Sequence, residues 1–177
     1  MSTQTLDSPA TPARERAAGR SAWLALITRL HFYIGLFVGP FILVAAVTGT
    51  LFVLTPQIEN LLYADQLRTA STGPAQPLAS QVQAAQARIG AGSRLFAERP
   101  APGPGDTTRV MFTYAGLGDS ESRALFVDPV TLDIKGDMIV YGTSGTLPFR
   151  TALDYLHRNL MLGELGRNYS ELAASWM

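Results

Sequence analysis

The run from Ile34 to Leu54 constrains this chain most. It holds 21 residues without a charge, and its most polar members are Thr48 and Thr50. A bilayer's hydrocarbon core, about 30 Å thick, needs roughly 20 helical residues to cross. A helix in a water-soluble core would show polar positions every three or four residues, and this run does not. Anchoring reads better than a cleaved leader, because leaders have a short head and an apolar core of roughly 7–15 residues. The run therefore predicts a membrane-spanning helix. Arg14, Arg16, Arg20 and Arg29 precede it, whereas Glu59 and Asp65 follow it with Arg68 as the nearby base. The positive-inside bias then places the N-terminus in the cytoplasm and residues 56 onward outside it. In a bacterium that outside is the periplasm or cell exterior.

The rest of the chain divides around this helix. Residues 1–20, rich in Ser, Thr, Ala, Pro and Arg, read as a disordered cytoplasmic tail. Ser21 is an N-cap for a helix over 21–55 that tolerates Pro40 at membrane depth. Residues 56–148 form an outer module. It opens with a linker, "RTASTGPAQP" (68–77), and a short amphipathic helix, "LASQVQAAQARIG". The loop "RPAPGPGD" (99–106) precedes "TRVMFTYAG" and "RALFVDPVTLDIKGDM". Those two segments predict two or three antiparallel strands with a turn at Asp128–Pro129. Residues 149–177 turn helical again, with Leu153, Leu156 and Leu160 on one face and Gly163 and Gly166 as interruptions. "NYSELAASWM" reads as the start of a second, truncated crossing, its Tyr169 and Trp176 suited to a membrane interface. The expected fold class is membrane α+β, and the expected whole is the front part of a larger membrane protein.

Composition excludes several chemistries. Fourteen basic and 14 acidic residues balance to a net charge of zero, and no basic tract exists for nucleic acid. Without cysteine there are no disulfides, iron–sulfur clusters or covalently attached haem. No G-x-G-x-x-G follows a strand, so flavin or nicotinamide chemistry would belong to another protein. Neither histidine has a Ser or Cys partner in a catalytic motif, and no catalytic residue is assigned. Glu59, Asp65, Glu164 and Glu171 read as solvated carboxylates near the outer face rather than cation ligands.

The chain has two histidines, His31 and His157. His31 shares a helix face with Gly35 and Gly39, a G-x-x-x-G pair that admits close approach. The spacing leaves two readings open. One is an interfacial imidazole above a helix-packing groove. The other is an axial ligand above a groove that receives the edge of a haem. His157 is either a surface residue of an amphipathic helix or a second ligand, its ring oriented by Asp154. The topology separates the two rings by roughly 30 Å of helical rise, so they cannot share one metal. They can serve two haems, one per leaflet.

Three stretches resemble the PepSY-associated transmembrane family, also described as iron-regulated membrane proteins. "RLHFYIGLFVGPFILVAAVTGTLFVL" is similar to the family's first crossing, with His, then Gly, Gly-Pro and Thr-Gly. "RALFVDPVTLDIKGDM" resembles the PepSY strand pair, and "LDYLHRNLMLGELGRNYSELAASWM" the Leu-His stretch before a second crossing. Phe32 and Tyr33 stand where the family often has a basic residue and Trp. The resemblance covers roughly residues 25–177. It implies a small periplasmic PepSY-like module, one helix packed on a short antiparallel sheet, and a bacterial inner-membrane location. It also implies that His31 and His157 hold non-covalent haem b, with iron bound through the haem alone. The implied function is a haem-bearing electron-transfer component of iron uptake, similar to ferric-siderophore reductases. Its partners would be the lipid bilayer, further transmembrane helices or another subunit, and a ferric siderophore. Two alternatives stand beside it: a non-enzymatic, membrane-tethered PepSY binding module, and an inactive truncated fragment.

Overall fold

A computed structural model describes residues 12–176, with side chains from residue 22 onward. A single helix, α1 (Pro12–Val53), dominates one end of the molecule. It contains a stretch, Ala22–Val53, long and apolar enough to cross a membrane. The helix begins at Pro12 rather than at Ser21, so residues 12–20 of the expected tail belong to it. "PARERAAGR" is rich in Ala and Arg, strong helix formers, and starts with Pro at a position where its missing N–H costs nothing. The remaining tail, residues 1–11, lies outside the described residues.

After α1 the chain makes two short helices, α2 (Thr55–Leu62) and α3 (Ala64–Leu67). An extended segment then leads to α4 (Leu78–Ile89), where the helical spacing predicts it. Four strands follow: β1 (Arg94–Arg99), β2 (Thr108–Thr113), β3 (Glu121–Val127) and β4 (Ile134–Tyr141). They form an antiparallel meander in the order β1-β2-β3-β4. β1 is the strand that pattern reading missed. "RLFAER" lacks alternation because, at the sheet edge, five of its six residues are exposed.

The inner strands read "VMF" and "ALFV" without alternation because both faces of the sheet are covered. On one face Val110, Phe112, Leu125 and Val127 pack against Ala85, Val82 and Ile89 of α4. On the other, Met111, Ala124, Phe126 and Val140 pack with Leu147, Tyr63 and Leu67. Each of these fully buried large side chains contributes about 1.5–3 kcal/mol. The expected module had one helix on one face of the sheet. The second face is covered by the segment that leaves α1, which ties the sheet to the apolar helix.

The chain closes with α5 (Pro148–Asn159) and α6 (Gly163–Ser175). Both run back along α1. Arg150 lies over Phe52 and His157 meets Thr48, while Tyr169 packs edge-on against Phe37 and Phe41. Leu160 and Met161 take left-handed conformations at the break, with φ of 53° and 56°.

Candidate functional site

α1 presents different faces to different neighbours. Ile34, Val38, Phe41 and Ala45 face α6, packing with Tyr169 and Ala173. The Tyr169 hydroxyl donates to the Phe37 carbonyl at 2.5 Å, one turn before Pro40. Pro40 has no N–H for the carbonyl of Leu36, and this neighbouring helix supplies a polar group at the weakened turn. His31, Gly35 and Gly39 lie away from that contact. His31 is exposed, and a Cβ placed at either glycine would meet nothing within 4 Å. Thus α6 does not occupy the expected close-approach face, which remains open along its length.

His157 is held differently. Its Nδ1 lies 2.7 Å from the hydroxyl of the buried Thr48. That hydroxyl has one proton, which it directs to the Val44 carbonyl at 2.7 Å. With Nδ1 engaged by Thr48, Nε2 is the ring nitrogen left without a hydrogen bond among the described residues. An imidazole with one nitrogen anchored and the other available is the arrangement that ligates metals. The expected orienting partner, Asp154, makes no hydrogen bond to the ring; Thr48 takes that role. The one sequence signal for it was a hydroxyl in an otherwise apolar run.

The structure keeps the two imidazoles apart. Thr48 lies 17 residues beyond His31 on α1, about 25 Å of helical rise.

Pattern reading also misjudged Glu59. It is a buried residue, 6% exposed, and accepts a hydrogen bond from Arg150 at 2.8 Å. Burial pushes its carboxyl above the ordinary value, and the Arg150 guanidinium opposes that shift. Glu59 Oε1 and Arg150 Nε are buried without a hydrogen-bond partner. Beside them the Tyr63 hydroxyl accepts from the Phe149 N–H at 3.0 Å. This polar joint locks α2 to the start of α5. Glu59→Ala should destabilise the chain by about 2 kcal/mol, because Arg150 loses its carboxylate while staying partly buried. The double substitution Glu59→Leu/Arg150→Met should recover most of that loss, as measured by denaturant unfolding of the purified chain.

Residues 28–177 match the model of the PepSY-associated TM region. The chain belongs to that family. It is a membrane-associated PepSY protein with one helix, among the described residues, long and apolar enough to cross a membrane. No curated protein matches it. In this PepSY-associated chain the matched region takes in both histidines, the four-stranded sheet and the α5–α6 pair.

Proposed function

We propose that this chain is a haem-binding electron-transfer component of bacterial iron uptake, similar in role to a ferric-siderophore reductase. The observation that carries the reading is the anchoring of His157: its Nδ1 meets the Thr48 hydroxyl at 2.7 Å, which leaves Nε2 free to bind iron. His31, exposed above two uncovered glycines, supplies the second candidate ligand. Haem bound at each position would supply a one-electron redox couple. The chain's own residues anchor the His157 ring on Thr48 and space the two stations about 25 Å apart along α1. They also leave a flat approach beside His31.

On this reading the N-terminus faces the cytoplasm and the sheet lies in the periplasm, as the arginines before the apolar stretch favour. Glu164, Arg167 and Glu171 pair with one another on the exposed side of α6, beside the apolar helix. Charges at that depth face protein or water rather than lipid, so further helices are the expected cover.

Membranes from haem-replete cells expressing the chain should show a Soret band. His31→Ala and His157→Ala should each remove about half of it. Thr48→Val should keep the protein folded but shift the midpoint potential of one haem only, because one ring loses the hydroxyl that orients it. Purified haem-free protein from such cells would overturn the reading.

A second reading is a tethered binding module, favoured by the uncovered edge strand β1, where Leu95 and Phe96 are exposed. Unpaired edges add strands readily. A partner that co-purifies with the His31→Ala/His157→Ala double variant would support it.

A further inference from the structure

Beside the joint between α2 and the sheet lies a cleft of about 430 Å³. Three arginines line it, Arg68, Arg99 and Arg109, together with Asn60, Asp106 and Phe126. Their charge is poorly balanced. Arg68 pairs with Asp106 at 2.5 Å and reaches Asn60 Oδ1 at 3.3 Å. Neither Arg99 nor Arg109 has a carboxylate in an ion pair among the described residues. Both instead donate to neighbouring carbonyls of the turn after β4, Arg99 to Ser144 at 2.5 Å and Arg109 to Gly145.

Arg109 is the telling member. Its guanidinium stacks over the Phe126 ring, 4.9 Å from the centroid, and its Nε is buried without a partner. Burial, and then the charge of Arg99, push it down to about 10, against weaker support from Glu59. The nearby Glu59 is already bonded to Arg150. Two cations therefore share one cleft without an anion of their own, and for the part-buried Arg109 that is costly unless a counter-charge binds.

Location narrows the source of that charge. Asn60 lies in α2, seven residues past the end of α1, so the cleft is within about 10 Å of chain rise from the apolar stretch. On the membrane-spanning reading of α1, lipid headgroups lie near that depth. Guanidinium forks match the geometry of phosphate oxygens better than any other cationic side chain.

We infer that the Arg68–Arg99–Arg109 cleft binds a phosphate group, carried by a lipid headgroup or by a soluble anion. Binding there would tie the sheet domain to the membrane surface or to an anionic ligand next to it, whatever the histidines hold.

The test titrates inorganic phosphate into the purified full chain in neutral detergent at low salt, followed by calorimetry. Saturable binding is expected. Arg99→Gln, at an exposed position, and Arg109→Lys, which keeps the charge but loses the fork, should each raise Kd at least tenfold. Arg94→Gln, on the same strand but outside the cleft, should leave Kd within twofold. Repeating the titration in nanodiscs separates the sources. If phosphatidylglycerol raises the phosphate Kd fivefold or more over phosphatidylcholine, the headgroup is the occupant; equal values assign a soluble anion. Absence of saturable binding, or the same Kd for wild type and Arg99→Gln, would overturn the inference. An Arg94→Gln loss as large as that of Arg99→Gln would overturn it too.

Discussion

Asp128→Ala should cost the small domain about 4 kcal/mol and free the segment between α3 and α4. Asp128 is fully buried, yet its carboxylate has four donors. Thr69 and Ser71 hydroxyls each donate to Oδ2 at 2.5 Å. The Val130 and Thr131 N–H groups donate to Oδ1 at 2.9 and 3.3 Å. The first pair pins the extended segment that pattern reading took for a plain linker; the second builds the Asp-Pro turn between β3 and β4. Hydrogen bonds to a charged group are each worth about 1.5–3 kcal/mol, and donors left bare in a buried site add their desolvation penalty. Asp128→Asn should cost about half as much, since it keeps the Oδ1 acceptor for the turn but faces an NH₂ toward the hydroxyls.

The same carboxylate makes stability depend on pH. Burial alone would raise its pKa, but the hydroxyl and backbone donors outweigh burial and hold it well below the usual carboxylate range. A depressed folded pKa means the contribution is complete above the unfolded value of about 3.9. It is lost progressively as the pH falls below that value toward the folded pKa. Urea midpoints should therefore drop more steeply below about pH 4 in wild type than in Asp128→Asn. Parallel profiles would refute the assignment.

Gly166→Ala is the second large effect, expected near 3 kcal/mol, at the upper end for overpacking. Gly166 lies inside α6 with ordinary helical geometry, so it is not conformation that demands glycine there. A Cβ would collide with the carbonyl oxygen of Asn159, the last residue of α5. Backbone cannot swing aside as a side chain can, so the two helices must separate. Gly163 is the informative contrast. It has φ of +61° but open space where a Cβ would go. Gly163→Ala should then cost only about 1–2 kcal/mol, the penalty of a left-handed alanine. Thermal unfolding of the two variants in one detergent checks the order. If Gly163→Ala is the worse, strain at the break outweighs the contact. Gly166→Ala should also disturb the His157–Thr48 contact, because α5 is positioned against α1 from both its ends.

Local physics explains which parts were legible beforehand. The apolar stretch declared itself by length alone, because a bilayer imposes one dimension on any helix that crosses it. Helix α4 and the Asp-Pro turn also followed from period and turn chemistry. So did the family, since its short motifs lie in order along the chain.

Other features depended on partners remote in sequence. β1 has no periodicity of its own and becomes a strand because β2 offers it a ladder. Glu59 looked like a surface acid until α5, about 90 residues on, brought Arg150 to it. The charge-poor stretch predicted a histidine at its mouth with glycines below, yet it could not say that α6 would pack on the adjacent face and leave those glycines open. Nor could it say which His157 nitrogen would be anchored. That depends on a single hydroxyl, Thr48, which meets Nδ1. Local pattern, then, determined the apolar helix, helix α4, the inner strands and the two imidazoles. Tertiary packing decided how those imidazoles are oriented, which charges are buried and where cations gather, because each depends on the distance between residues that only folding brings together.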